Sequence, residues 1–386
     1  MATYPILRPN RATLRRRPAR AKQTSLTLFP TAARHGNCEL PSGASAPPPV
    51  PDRSREPATE LVGIARLAAS SPLAEAKRGT KYFLLPVKSI LNECHSERVP
   101  FRWTVNPYRG CEFGCKYCYA RYTHEYMELD GADFESKIYV KQDAGPLAQR
   151  DLGREKIWGE HIAIGTATDP YQPAELEFGA TRTILEKMVE REGLSISITT
   201  KSNQVMRDIE LLRRISARSS LTIHMTVTTM RTRLARLLEP RAPRPDLRLA
   251  AVRELRDAGI NVGVNAMPIL PKLTDREEDL DALVRASRDA GAQWIAANVV
   301  FLMPASLKLF MAFLEEKFPK RAKQYRDWFS SHGNAPENYR KEIAERVERL
   351  RRKYGLGSRP ERPEAQSWHS PQLQLAWENG EQTCQR

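Results

Sequence analysis

Three times in this chain of 386 residues an amphipathic helical pattern ends on a glycine and passes at once into a β-branched run. Glu192-Gly193 precedes LSISITT, Ala258-Gly259 precedes INVGVNAMP, and Ala290-Gly291 precedes AQWIAANVVFL. Glycine just past a helix takes the left-handed turn without a Cβ penalty, which ends the helix and aims the chain into a strand. Gly259 and Gly291 lie 32 residues apart, and Gly193 to Gly259 spans 66, about two such units, with LTIHMTV as the strand between. The helices each carry one apolar stripe at three- and four-residue spacing: Phe178, Leu185, Met188 and Val189; Val205, Ile209, Leu212 and Ile215; Leu280, Leu283 and Val284. Near-continuous apolar strands alternating with such helices predict a parallel sheet covered on its outer face. FRWTVN, HIAIGT, SISITT, LTIHMTV, INVGVNA and WIAANVVFL make six strands. A doubly wound sheet would need a GxGxxG turn after a strand, and the sequence has none.

The formal net charge of +15 is unevenly spread. Residues 1–60 contribute +6 and hold ten of the 28 prolines, so they read as a disordered basic tail. A transit peptide is an alternative for that segment, which has no acid before Glu39 but also no clear amphipathic face. Residues 61–356 contribute +10, and 357–386, a polar C-terminal tail, −1. The expected units are 1–60, a barrel over 79–302, a helical extension over 303–356, and 357–386. In the extension Ile343, Val347, Leu350 and Tyr354 share one face, ringed by Arg340, Lys341, Arg346, Arg349, Arg351 and Arg352. That ring reads as a solvated basic face, with a nucleic-acid contact as the alternative. No stretch approaches the ~18 apolar residues of a membrane span. A soluble, cytoplasmic protein without membrane partners is expected, since six scattered and clustered cysteines do not resemble a disulfide framework.

Three of those cysteines, Cys111, Cys115 and Cys118, form a CxxxCxxC triplet in NPYRGCEFGCKYCYARYTHEY. Iron–sulfur clusters are usually held by four Cys thiolates. A 4Fe-4S cluster on three protein thiolates leaves one iron open to a small molecule, which implies chemistry. A structural zinc site on the triplet with His124 as fourth ligand is the competing reading of these residues, and a non-catalytic nucleic-acid-binding module stabilised by zinc or an iron–sulfur group, favoured by the charge and the basic tail, is the alternative function.

The strand ends are polar. GTATDPYQPAE, residues 165–175, follows the second strand and offers Thr166, Thr168, Asp169, Tyr171, Gln172 and Glu175. Thr199, Thr200, Lys201 and Ser202 follow the third, Thr226, Thr228 and Thr229 the fourth, Asn265 and Met267 the fifth, and Asn298 the sixth. In barrels the active site lies at the C-terminal ends of strands, although an Asp-Pro turn or a helix cap would use the same residues. LEPRAPRPDLR adds Glu239, Arg241, Arg244 and Arg248, a cationic loop suited to a carboxylate or phosphate.

Taken together, NPYRGCEFGCKYCYAR, TDPYQPAE, TKS, LEPRAPRPDLRL and NAMPILP resemble the spore photoproduct lyase-like (DNA repair photolyase-like) branch of the radical S-adenosylmethionine (radical SAM) superfamily, over roughly residues 79–330. The resemblance implies an α/β fold, a partial (βα)6 TIM-type barrel with the cluster loop after its first strand. It implies that Cys111, Cys115 and Cys118 hold a 4Fe-4S cluster whose open iron is chelated by S-adenosylmethionine. The 165–175 loop then stands where the superfamily contacts the cofactor's amino group. Tyr117, Thr166, Thr168, Asp169, Tyr171, Glu175, Thr200, Lys201 and Asn265 are the implied cofactor-binding residues. The implied activity is reductive cleavage of the cofactor and hydrogen abstraction from a substrate in the barrel mouth, nucleic acid being one candidate, with flavodoxin or ferredoxin as electron donor. A strict spore photoproduct lyase would also use a hydrogen-donating cysteine downstream of the cluster, and here none lies between Cys118 and Cys384.

Overall fold

The computed structural model describes residues 61–359 apart from 78, 96–98 and 332. The tail expected over 1–60 and most of the one over 357–386 lie outside the described residues, as do Cys38 and Cys384. Eleven strands among the described residues form two sheets. They are β1 (Leu73–Lys77), β2 (Thr80–Leu85), β3 (Leu91–Glu93), β4 (Trp103–Val105), β5 (Tyr108–Arg109), β6 (Lys137–Lys141), β7 (His161–Ile164), β8 (Ser195–Thr200), β9 (Ser220–Thr226), β10 (Asn261–Ile269) and β11 (Ile295–Val299).

The larger sheet has the order β11-β10-β9-β8-β7-β4-β3. Its strands from β4 to β11 pair in parallel, Val105 against Ile164, Ile164 against Ile198, Ile198 against Ile223 and Val264 against Ile295. These are the six strands expected from the sequence, joined by helices that include Ala180–Val189, Ile209–Ser216, Pro245–Asp257 and Glu277–Asp289. The sheet is open: β3 caps one edge antiparallel to β4, and β11 forms the other. The fold is a mixed α/β partial (βα)6 barrel. Gly193, Gly259 and Gly291 take φ of +69°, +78° and +81°, the left-handed stops that the repeat requires. The apolar helix stripes bury against the strands, with Leu185, Met188, Leu212 and Ile215 almost without solvent exposure.

Two features depart from a simple repeat. A second sheet, β1-β2-β6-β5, stands beside the barrel and is built from chain before β3 and from the excursion between β4 and β7. It was not expected. The stretch expected as a helical extension holds the helices Pro304–Lys317, Pro319–Phe329 and Glu337–Tyr354, and they pack back onto the barrel. The last of them lies along the open β11 edge, where Tyr339 Oη donates to Asp275 (2.6 Å), Tyr354 Oη to Asp281 (2.9 Å) and Arg346 to the Asp275 carbonyl (2.7 Å). The backbone after it returns to the sheet, with Ile295 N donating to Gly357 O at 3.2 Å. Among the described residues no helix is long and apolar enough to cross a membrane.

Candidate active site

The cysteine loop begins where the parallel sheet hands the chain to the second sheet. Tyr108 and Arg109 of β5 pair with β6, and Cys111 follows directly, its N–H donating to Phe134 O at 2.8 Å. The loop's backbone is fastened from several sides. Thr168 Oγ1 and Gln172 Nε2 both donate to Gly110 O (2.6 and 3.1 Å), and Gln172 Oε1 accepts from Glu112 N (2.9 Å). The buried Arg121 guanidinium reaches Cys115 O (3.1 Å) and Glu135, Lys116 N donates to Leu238 O (2.9 Å), and Ser306 Oγ donates to Cys118 O (2.7 Å). These contacts go to the backbone, so the three thiols stay free for a ligand.

All three cysteines are unbridged, Cys111 and Cys115 buried and Cys118 half-buried. Burial pushes the Cys111 thiol well above its ordinary pKa and the Cys115 thiol up to about 12, against the pull of Lys201 on Cys115. A bound metal would lower the pKa of such thiols and ionise them. His124, the fourth ligand of the zinc reading, uses one ring nitrogen in the fold, while its Nδ1 has no hydrogen-bond partner among the described residues. That ring is buried with Nε2 donating to Lys137 O (3.0 Å), it packs edge-on against Phe134 and Tyr139, and burial pushes its pKa down to about 4. Among the described residues no three His, Cys, Asp or Glu side chains stand close enough to share one ion. Three free thiols on one fastened loop fit a polynuclear iron–sulfur group.

The thiols open into a cavity of about 570 Å³ at the C-terminal ends of the strands. Of the residues implied by the sequence, Tyr117, Thr166, Thr168, Asp169, Thr200, Lys201 and Asn265 line it. Asp169 is held in place by Thr200 Oγ1 (2.7 Å), Lys201 N (2.7 Å) and Tyr171 N (3.0 Å), and burial outweighs these bonds to raise its pKa. Burial also works against the Lys201 ammonium, but the negative charge of Cys115 when ionised and the Glu239 and Asp169 carboxylates hold its pKa above the ordinary value. Asn265 is buried, and its Oδ1 has no hydrogen-bond partner among the described residues. A buried acceptor left unpaired costs free energy unless a ligand or water meets it, so this atom fits a cavity that takes a polar molecule such as an amino-acid-bearing cofactor.

Tyr171 and Glu175 do not line the cavity and are corrected here to scaffold positions. Glu175 is fully buried and accepts from Tyr108 Oη (2.5 Å), Thr181 N (2.7 Å), Arg182 N (3.1 Å) and Arg207 Nη2 (2.8 Å), so its carboxylate is fully used in tying the 165–175 loop to β5 and the next helix. Tyr171 is buried in the main apolar core. The loop 239–248 is likewise structural. Arg248 and Glu239 form an ion pair with both side chains 1% exposed, Arg241 donates to the carbonyls of Glu112 (3.3 Å) and Glu135 (3.0 Å), and Arg244 pairs with Asp246 at the surface. The sequence reading missed the far wall, where Phe301, Asn334, Arg340, Ile343 and Ala344 meet the cavity. The half-apolar stripe of the last helix was visible, but nothing in the pattern says which element it covers.

Gly165 starts the loop at φ +85°, and a Cβ there would stand 2.4 Å from Thr199 O and 2.8 Å from Pro170 Cδ. Gly165→Ala is therefore expected to cost about 1–3 kcal/mol, the scale of a forced backbone conformation, read as a lowered urea midpoint.

Comparison with known proteins agrees with this geometry. The family model described as the radical SAM superfamily matches residues 105–284. An uncharacterized protein of Mycobacterium tuberculosis is 32% identical over 315 residues, 81% of this chain and 91% of that one. One from Methanocaldococcus jannaschii is 31% identical over 176 residues, 46% of this chain and 63% of that one. Among solved structures, spore photoproduct lyase complexed with dinucleoside spore photoproduct superposes with a TM-score of 0.53 at 16% identity, covering 71% of this chain and 80% of that one. A variant of that lyase with bound AdoMet and the dinucleoside photoproduct gives 0.51 at 15% identity, over 72% and 80%. At such identity the structural likeness speaks for the fold. With three free cysteines on the loop after the first barrel strand and the family match over that loop and the sheet, the chain belongs to the radical SAM superfamily and is a radical SAM enzyme.

Proposed function

We propose that the chain holds a 4Fe-4S cluster on Cys111, Cys115 and Cys118, binds S-adenosylmethionine in the adjoining cavity, and acts on a nucleic-acid substrate there. The observation that carries the reading is the opening of three unbridged, loop-fastened thiols directly into one cavity with Asp169, Lys201 and Asn265. When bound, the cluster and cofactor supply an electron to the sulfonium and a 5′-deoxyadenosyl radical able to abstract hydrogen. The chain's own residues bind and orient. Asp169 offers a carboxylate to the cofactor's ammonium group, Lys201 an ammonium to its carboxylate, and Asn265 a buried acceptor. The apolar walls, with Phe113, Phe134 and Ala297 among them, keep water away from a reactive species. The nucleic-acid part rests on the basic charge of residues 61–356 and on the photoproduct bound by a protein of like fold. The electron donor that fits this chemistry is a small redox protein such as flavodoxin or ferredoxin.

Anaerobically reconstituted protein given a strong reductant is expected to release 5′-deoxyadenosine from S-adenosylmethionine; no release would overturn the reading. Repair of spore-type thymine dimers to thymine is expected to be negligible. Among the described residues the triplet supplies the only thiols on the cavity wall, and Cys94 is buried elsewhere, its N–H bonded to Arg102 O at 2.7 Å. Multiple-turnover repair of that lesion would show that another hydrogen donor serves.

A further inference from the structure

The last helix, Glu337–Tyr354, carries seven basic residues, and six of them have a carboxylate within 4.0 Å. Lys341 meets Glu337, Arg346 meets Glu277 and Glu342, Arg349 meets Glu277, Arg351 and Arg352 meet Glu348, and Lys353 meets Asp281. Arg340 is the exception among the described residues, and it is also the one that lines the cavity. Its Nε donates to Ala335 O at 3.2 Å, which fixes the guanidinium's orientation while leaving both Nη groups uncommitted. Arg340 is thus an exposed cation at the cavity wall with no carboxylate partner among the described residues, on a helix whose other cations are paired. Asn298, Asn334 and Phe301 also line the cavity.

We propose that Arg340 is the substrate-anchoring residue, its two Nη groups receiving the oxygens of a backbone phosphate while the target nucleotide enters toward the cysteines. This rests on the nucleic-acid reading above and adds the residue that grips the substrate. Planar guanidinium matches a phosphate bidentately, and such contacts position a nucleic acid without reading its sequence. The amides of Asn298 and Asn334 suit a base edge, and an aromatic face such as Phe301 suits an unstacked base. Asp169 and Lys201, which also line the cavity, are left to the cofactor. The anchor comes from a helix outside the stretch 105–284 shared with the superfamily, so it belongs to the part of the chain that would set substrate choice.

The test uses anaerobic reconstituted full-length protein with S-adenosylmethionine and two probes: a short single-stranded oligothymidylate, and its methylphosphonate analogue, which keeps the bases and lacks the backbone charge. Wild type is expected to prefer the charged strand. In R340Q that preference should shrink by about tenfold or more, the scale of one charge-assisted bidentate contact, and R340K should restore part of it. An undiminished preference in R340Q overturns the assignment of Arg340. An equal loss of S-adenosylmethionine affinity in R340Q overturns it too, by giving the guanidinium to the cofactor. Failure of wild type to bind either strand overturns the nucleic-acid reading itself, and the anchor with it.

Discussion

Replacing Cys111, Cys115 or Cys118 by Ala is expected to abolish both the iron–sulfur absorbance of the reconstituted protein and the formation of 5′-deoxyadenosine, while Cys94→Ala is expected to retain both. The expectation follows from placement. The triplet opens into the cavity on a loop whose backbone is held by Thr168, Gln172, Arg121 and Ser306, so removal of a thiol leaves the loop in place and subtracts only a ligand. Cys94 is buried at the end of the β3 hairpin with no share in the cavity. Iron and sulfide analysis on each variant, with circular dichroism to confirm folding, decides it. Full iron loading in the Cys115→Ala variant would sink the cluster assignment.

The second large effect concerns stability. Glu239 sits under the cysteine loop, where it accepts from Tyr117 Oη, from Thr228 Oγ1 (2.6 Å) and from Arg248, whose guanidinium also reaches the carbonyls of Thr226 (3.1 Å) and Pro243 (2.8 Å). Burial alone would raise its pKa, yet Arg248, Lys201 and the two hydroxyls pull it down to about 2. Glu239→Ala leaves Arg248 buried and unpaired, and the expected cost is about 3–5 kcal/mol, measured by urea unfolding. Glu239→Ala with Arg248→Met recovers part of it, because the stranded charge is gone. A carboxylate whose folded pKa lies below its ordinary 4.5 gives stability that is present above that value and lost as pH falls toward 2. Wild type therefore loses more stability than Glu239→Ala on acidification through that window. Equal acid sensitivity would remove Glu239 from the account.

The position of the cysteines and the order of the barrel were legible because both are local. A helix that stops on Gly259 and a strand that begins at Asn261 are set by backbone preference and by burial of one stripe, with no distant residue consulted. The polar strand ends could be named for the same reason, since a parallel barrel puts all of them on one rim. Seven of the nine implied cofactor residues stand on the cavity wall. The other two show where local reading stops. In TDPYQPAE, Asp169 and Glu175 are both carboxylates and stand six residues apart, yet one faces the cavity and the other is consumed by Tyr108, Thr181 and Arg207, partners 67, 6 and 32 residues away.

What the sequence by itself determined about this protein is the parallel repeat, the cysteine loop after its first strand, and the rim of polar strand ends. Each follows from periodicity or spacing within a few turns of chain. The tertiary structure decided that β2, from before the barrel, and β6, from the excursion between β4 and β7, pair in a second sheet, and that Glu239 and Arg248 form an ion pair beneath the loop. It also decided that the last helix closes the cavity with Arg340 at its wall. These depend on which apolar stripe meets which edge and which charges end up without water. Such choices are made by the whole packed chain, because a buried charge must find its partner wherever the fold brings one.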